Sequence, residues 1–151
     1  MKKLYLLGLI FLFNSCTSDS KTRIIRLGHG LDVTHSVHQA MLKADQYLSE
    51  ISNGKMKIQI YPSEQLGTER QCLELLQIGS LDMTKVSTGS LENFSPNIKV
   101  FGLPFLFRDR QHSYSVLDGP IGRDLLSGTE KYWLKGLAYY DAGARSFYTK
   151  E

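Results

Sequence analysis

Apolar and polar positions recur along this chain with two different periods, and the blocks they form predict an order of strands and helices. Arg23-Ile24-Ile25-Arg26-Leu27-Gly28 reads as a strand that runs into the glycine-rich loop Gly28-His29-Gly30. Val37, Met41, Ala44, Leu48 and Ile51 then step by four, three, four and three, the spacing of one buried helix face. Thr34 is the expected N-cap of that helix, and Asn53-Gly54 its stop. Met56, Ile58 and Ile60 alternate with Lys57 and Gln59, which predicts a half-buried strand ending at Pro62. Thr68-Glu69-Arg70-Gln71 has the capping-box pattern and opens a helix through Cys72, Leu75 and Leu76 to Gly79. Leu81 to Thr88 reads as another strand. Ile98 to Phe107 is apolar but interrupted by Gly102 and Pro104, so it predicts buried irregular chain that packs behind a site. Helices are expected over 109–117 and 120–134, the second started by Pro120, and 136–150 reads as a last strand.

Strand, helix, strand, helix, strand in this order predicts an α/β fold with a mostly parallel sheet flanked by helices, because parallel neighbours need crossover connections. Ligands of such sheets sit beyond the carboxyl ends of the strands. That rule nominates His29, Glu69, Ser87, Thr88, Ser90 and Arg145 as ligand contacts. Each also has a plainer reading. His29 serves equally as an exposed loop histidine, and Glu69 as an acidic residue favoured by a helix N-terminus. Small hydroxyl residues in a loop need no ligand to explain them.

Composition narrows the class. The chain has 151 residues, 42% hydrophobic and 22% charged, enough to build a core without staples. Two cysteines cannot form a disulfide scaffold. Met1-Lys2-Lys3 followed by the apolar run Leu4 to Phe13 has the form of an export signal and is too short to span a bilayer. Phe13-Asn14-Ser15-Cys16 resembles a lipoprotein processing site, with Cys16 as the lipidated residue and Phe13 as its departure from the usual leucine. An ordinary cleaved signal is the alternative, and both predict export. Without Lys2 and Lys3, 18 − 2 = 16 basic side chains face 15 acidic ones, so nothing in the charge balance calls for nucleic acid as a partner.

Several ordered segments carry a resemblance. They are Ser49 to Met56, Ile60 to Arg70, Leu75 to Thr84, Leu103 to Arg108, Leu117 to Gly122 and Gly143-Ala144-Arg145. In order and spacing they resemble the extracytoplasmic substrate-binding subunit of tripartite ATP-independent periplasmic (TRAP) transporters. The resemblance implies a two-lobed periplasmic-binding-protein-like fold that captures an organic acid and delivers it to the membrane permease subunits. Together with the N-terminal reading it divides the chain into 1–15 signal peptide, 16–22 lipid-anchored tether, 23–135 first lobe, and 136–151 a crossover strand toward a second lobe, before which the chain is truncated. Most members of the family are soluble periplasmic proteins, so a lipid-modified Cys16 would be a variation. Arg145 matches the arginine that helps hold the anionic substrate. The stretch from Ala138 to Lys150 resembles members that bind sugar acids, so a hexuronate is favoured over a C4-dicarboxylate or a sialic acid. A ligand-sensing module that presents an organic acid to a receptor is the alternative function.

Other chemistry finds no constellation. His35 and His38 have helical spacing but no third metal ligand nearby, so capping or a solvated position is expected. Cys72 reads as a small buried apolar residue. No nucleophile elbow, phosphate-binding loop or His-Glu-x-x-His motif is present, and no cofactor is expected.

Overall fold

The computed structural model describes residues 22–141 together with 143 and 150. Three strands, β1 (Arg23–His29), β2 (Met56–Tyr61) and β3 (Met83–Lys85), form one parallel sheet in the order β2-β1-β3. Helix α1 (Ser36–Ile51) connects β1 to β2, and α2 (Glu69–Gln77) connects β2 to β3. Short helix α3 (Thr88–Leu91), a 3-10 helix over Pro96–Gly102, helices α4 (Arg110–Leu117) and α5 (Pro120–Ser127), and a 3-10 turn over Glu130–Tyr132 complete the described chain. The α/β architecture with a parallel sheet is therefore the one expected.

The pleat of β1 explains how helices cover both faces. Leu27 points to one side, where it packs with Val37 and Met41 of α1 and with Leu31, Ile58, Ile60 and Met83. Gly28 points to the other, and a Cβ there would lie 3.3 Å from Cys72 Sγ, 3.4 Å from Leu66 and 3.5 Å from Leu81. The missing side chain thus lets α2 approach the central strand closely. Cys72 and Leu73 are the buried residues of α2, while Leu75 and Leu76, expected on its apolar face, are half-buried.

Several expectations need correction. His35, not Thr34, caps α1: the Asp32 carboxylate takes both the N–H and the hydroxyl of Thr34, and the His35 ring accepts from the Val37 N–H. The buried face of α1 ends early, with Ala44 and Ile51 exposed and His38 buried beside Val37. Asp45, on the same helix, instead accepts the Ile58 N–H at 2.6 Å. β3 covers three residues rather than Leu81–Thr88, because side chains take the ladder positions around it. Asp82 Oδ2 accepts the Arg26 N–H, and Glu69 accepts the Ser87 N–H.

The helix expected over 120–134 stops at Ser127. Thr129 Oγ1 then donates to the Leu126 and Leu134 carbonyls and accepts the Gly136 N–H, folding the chain back on itself. Residues 136–141 form no strand: Thr129 holds Gly136, the Tyr139 hydroxyl donates to the Gly122 carbonyl, and Asp141 pairs with Arg110. The stretch expected to be irregular, Ile98 to Phe107, is regular at its start, where Pro96–Gly102 form a 3-10 helix that buries Ile98, and irregular only after Gly102. Phe105, however, is 96% exposed with a left-handed backbone, so it does not pack behind a site. Phe101 and Phe107 stack, and Tyr139 meets Phe101 edge-on, which joins the last described segment to this region.

Candidate functional site

A sheet of order β2-β1-β3 has its topological switch at the carboxyl ends of β1 and β3, where the chain leaves the two strands toward opposite sides. His29 and Lys85, the last residues of those strands, are register partners at that edge. The loop after β3 and the first turn of α2 converge on the same place, and the side chains that meet there are charged or hydroxylic.

Glu69 is the centre of this group. As the first residue of α2 it lies where the helix dipole favours a negative charge, and the Thr68–Gln71 capping box fixes that turn. Its Oε2 accepts from the Ser87 N–H at 3.0 Å, the Ser87 hydroxyl at 2.7 Å and the Ser90 hydroxyl at 2.7 Å. Its Oε1 lies 3.7 Å from Lys85 Nζ, and both side chains are mostly covered. Burial pushes the Glu69 carboxyl up, but the hydrogen bonds from Ser87 and Ser90 together with the Lys85 charge outweigh it. The net shift is below the usual carboxylate range. Glu69 is therefore a fixed anion beside a cation. Ser87 also caps α3, accepting from the Ser90 N–H.

His29 is 2% exposed rather than looped into solvent. The Leu31 N–H donates to its Nδ1 at 3.1 Å, and its Nε2 is 3.0 Å from His38 Nδ1. Both ring nitrogens are thus engaged. Burial lowers its pKa, and His38, Lys85 and His35 lower it further. Its backbone carbonyl accepts the Glu64 N–H, which ties the loop after β2 to the end of β1.

The structure brings Glu69, Ser87 and Ser90 into direct contact and places His29 at the neighbouring strand end. Thr88 is exposed, at the start of α3, and its side chain takes no part in the hydrogen bonds that join that group. Arg145 and Cys16 lie outside the described residues. Lys85 was not nominated in the sequence, where it read only as part of the strand Leu81 to Thr88. His38, expected to cap a helix or stand in solvent, is instead buried against His29, a contact that crosses from helix to strand. Among the described residues no cluster of three metal-ligating side chains occurs, and Cys72 is buried with its thiol pushed up by burial, an unreactive setting. A shallow depression bounded by Arg108, Asp109, Gln111, His112 and Ser115 includes none of the strand-end residues.

Comparison with known proteins places this arrangement. Residues 27–151 match the family described as bacterial extracellular solute-binding protein, family 7. A TRAP periplasmic solute-binding protein from Xanthobacter autotrophicus Py2, solved with bound β-D-galacturonate, is 39% identical with a TM-score of 0.79, over 82% of this chain and 42% of that one. One from Anaerococcus prevotii, with bound D-glucuronate, is 34% identical with a TM-score of 0.81, over 86% of this chain and 42% of that one. The 2,3-diketo-L-gulonate-binding periplasmic protein of Escherichia coli K12 is 33% identical over 85% of this chain and 39% of its own length. The chain thus spans about two fifths of the length of these relatives. With the family match running over most of its length, and with a parallel sheet that superposes on TRAP periplasmic solute-binding proteins, the chain belongs to family 7 of the bacterial extracellular solute-binding proteins.

Proposed function

We propose that this protein captures a sugar acid, specifically a hexuronate, outside the cytoplasm and delivers it to an ion-gradient-driven TRAP membrane permease. The observation that carries this reading is the likeness to binding proteins solved with galacturonate and glucuronate in place. The charged and hydroxylic group at the carboxyl edge of the sheet supports it, since the ligand of a parallel sheet is expected there.

In this reading residues 23–135 are a first lobe and 136–151 lead toward a second, and the ligand lies in the cleft between them. Arg145 grips the carboxylate, because a planar guanidinium matches it bidentately and keeps its charge when water is excluded. Glu69, Ser87, Thr88 and Ser90 face the ligand's polar groups, and His29 shapes the strand end behind them. Export by the N-terminal signal, with Cys16 as a lipid anchor, would hold the protein beside its permease.

Calorimetry with galacturonate and glucuronate on the whole protein that carries this sequence tests the reading. Arg145→Ala is expected to weaken binding roughly thirty-fold or more, the loss typical of removing one partner of a desolvated charge pair. Unchanged affinity would remove Arg145 from the site.

A further inference from the structure

We infer that Lys85 and the open oxygen of Glu69 form a subsite that reads a ligand hydroxyl, which makes the ligand a polyhydroxylated acid rather than an unsubstituted dicarboxylate. The inference rests on the acid-binding reading above and assigns to Lys85 and Glu69 the selection of a hydroxylated acid.

The two oxygens of Glu69 are used unequally. Oε2 accepts three hydrogen bonds, from the Ser87 N–H and from the hydroxyls of Ser87 and Ser90, so its acceptor capacity is filled. Oε1 has a single close polar neighbour among the described residues, Lys85 Nζ at 3.7 Å. That distance is an ion pair but too long for a hydrogen bond. Among the described residues, a carboxylate oxygen and an ammonium that make no hydrogen bond therefore stand side by side without satisfying each other.

A hydroxyl is the group that completes such a pair. It donates to Oε1 while accepting from Nζ, so one oxygen serves both. A methylene offers neither and would leave two charged groups unpaired when the cleft closes. A ligand carboxylate would accept from Lys85 but meet the Glu69 charge. Discrimination by leaving buried polar groups unpaired is stronger than discrimination by apolar fit.

The surroundings hold both members in place. Lys85 ends β3 in register with His29, whose burial favours the neutral ring, so His29 adds no second positive charge beside Glu69 at that strand end. Glu69 is anchored by α3 through Ser87 and Ser90 whether or not Lys85 is present. Removing Lys85 therefore removes the donor and leaves the acceptor where it was.

The test is calorimetry on the whole protein with galacturonate and with succinate, for wild type, Lys85→Met, Lys85→Arg, Glu69→Gln and Arg145→Ala. Lys85→Met and Glu69→Gln are expected to lower galacturonate affinity about ten- to hundred-fold, the range for hydrogen bonds to charged groups, while the galacturonate-to-succinate ratio collapses. Lys85→Arg keeps a donor and should stay within a few-fold of wild type. Thermal melts on each variant confirm that it is folded. If Lys85→Met and Glu69→Gln weaken both acids equally, or leave galacturonate unchanged, the hydroxyl-reading subsite is overturned while acid binding stands. If wild type binds neither acid, the acid-binding reading fails, and this inference fails with it.

Discussion

The proton on His29 is placed by its neighbours. Because the Leu31 N–H donates to Nδ1, that nitrogen is bare, and the ring hydrogen belongs on Nε2, where it is donated to His38 Nδ1. A charged ring would lose the Leu31 bond and stand close to Lys85. Burial, with the nearby His38, Lys85 and His35, accordingly holds the His29 pKa below its ordinary 6.5. Unfolded His29 binds a proton as pH falls through 6.5, while the folded ring resists until a lower pH. Acid therefore favours the unfolded chain, and the stability present above 6.5 is lost on the way down toward the folded value. Thermal melts between pH 7 and pH 5 should show a falling midpoint whose slope flattens in His29→Gln. An equal slope in the variant would show that another group carries the effect. The nomination of His29 was legible in the sequence as a polar residue closing a strand. Its burial was not, because the partner that occupies it is nine residues away on a helix.

Among the elements, α2 is the one whose local code and site role coincide. Thr68 accepts the Gln71 N–H and Gln71 accepts the Thr68 N–H, so two otherwise orphaned donors are satisfied at the turn that presents Glu69. Thr68→Ala should cost about 1 kcal/mol of stability, read as a lower midpoint in urea or heat, since an alanine cap cannot accept the N3 amide. That box was fully legible, being a contact within four residues. β3 was overestimated for the opposite reason. Its β-branched residues continue past Lys85 with Val86 and Thr88, but Asp82 and Glu69, from outside the strand, capture backbone amides that a longer ladder would have used. The break at Gly102 and Pro104 was recognised from the sequence, yet the same pattern could tell neither that Pro96–Gly102 wind into a 3-10 helix nor that Phe105 faces outward.

At the scale of the whole molecule, the segment that leads to Arg145 is held to the helices rather than to the sheet. Asp141 accepts from the Tyr114 hydroxyl at 2.7 Å and the Gly143 N–H at 2.8 Å, and it pairs with Arg110. The Tyr114 hydrogen bond is the largest influence, followed by those from Gly143 and Arg110, and together they pull its carboxyl from 3.8 to about 2. For a depressed carboxylate the contribution is complete above the unfolded value and disappears as pH falls through the folded one. The attachment should thus hold at pH 5 and be released between about pH 4 and pH 2. The protection of the Gly143 amide, the slowing of its exchange relative to an unstructured amide at the same pH, should fall over that window, and Asp141→Asn should lower it already at pH 7. Slow exchange in the variant would mean that the aromatic contacts of Tyr139 suffice. Leu103, Phe105, Trp133 and Leu137 are all more than half exposed.

What the sequence determined by itself is whatever depends on near neighbours: the alternating strands and helices, the α2 cap, the proline start of α5 and the order of segments that marks the family. Each follows from backbone geometry and side-chain period, which act over a few residues. The tertiary structure decided which polar groups meet. Glu69, Lys85, Ser87 and Ser90 come from a helix, a strand and a loop, and His29 meets His38 across a layer. Charge pairing and burial depend on distance in space, and that distance exists only once the sheet has brought the carboxyl ends of its strands to one edge.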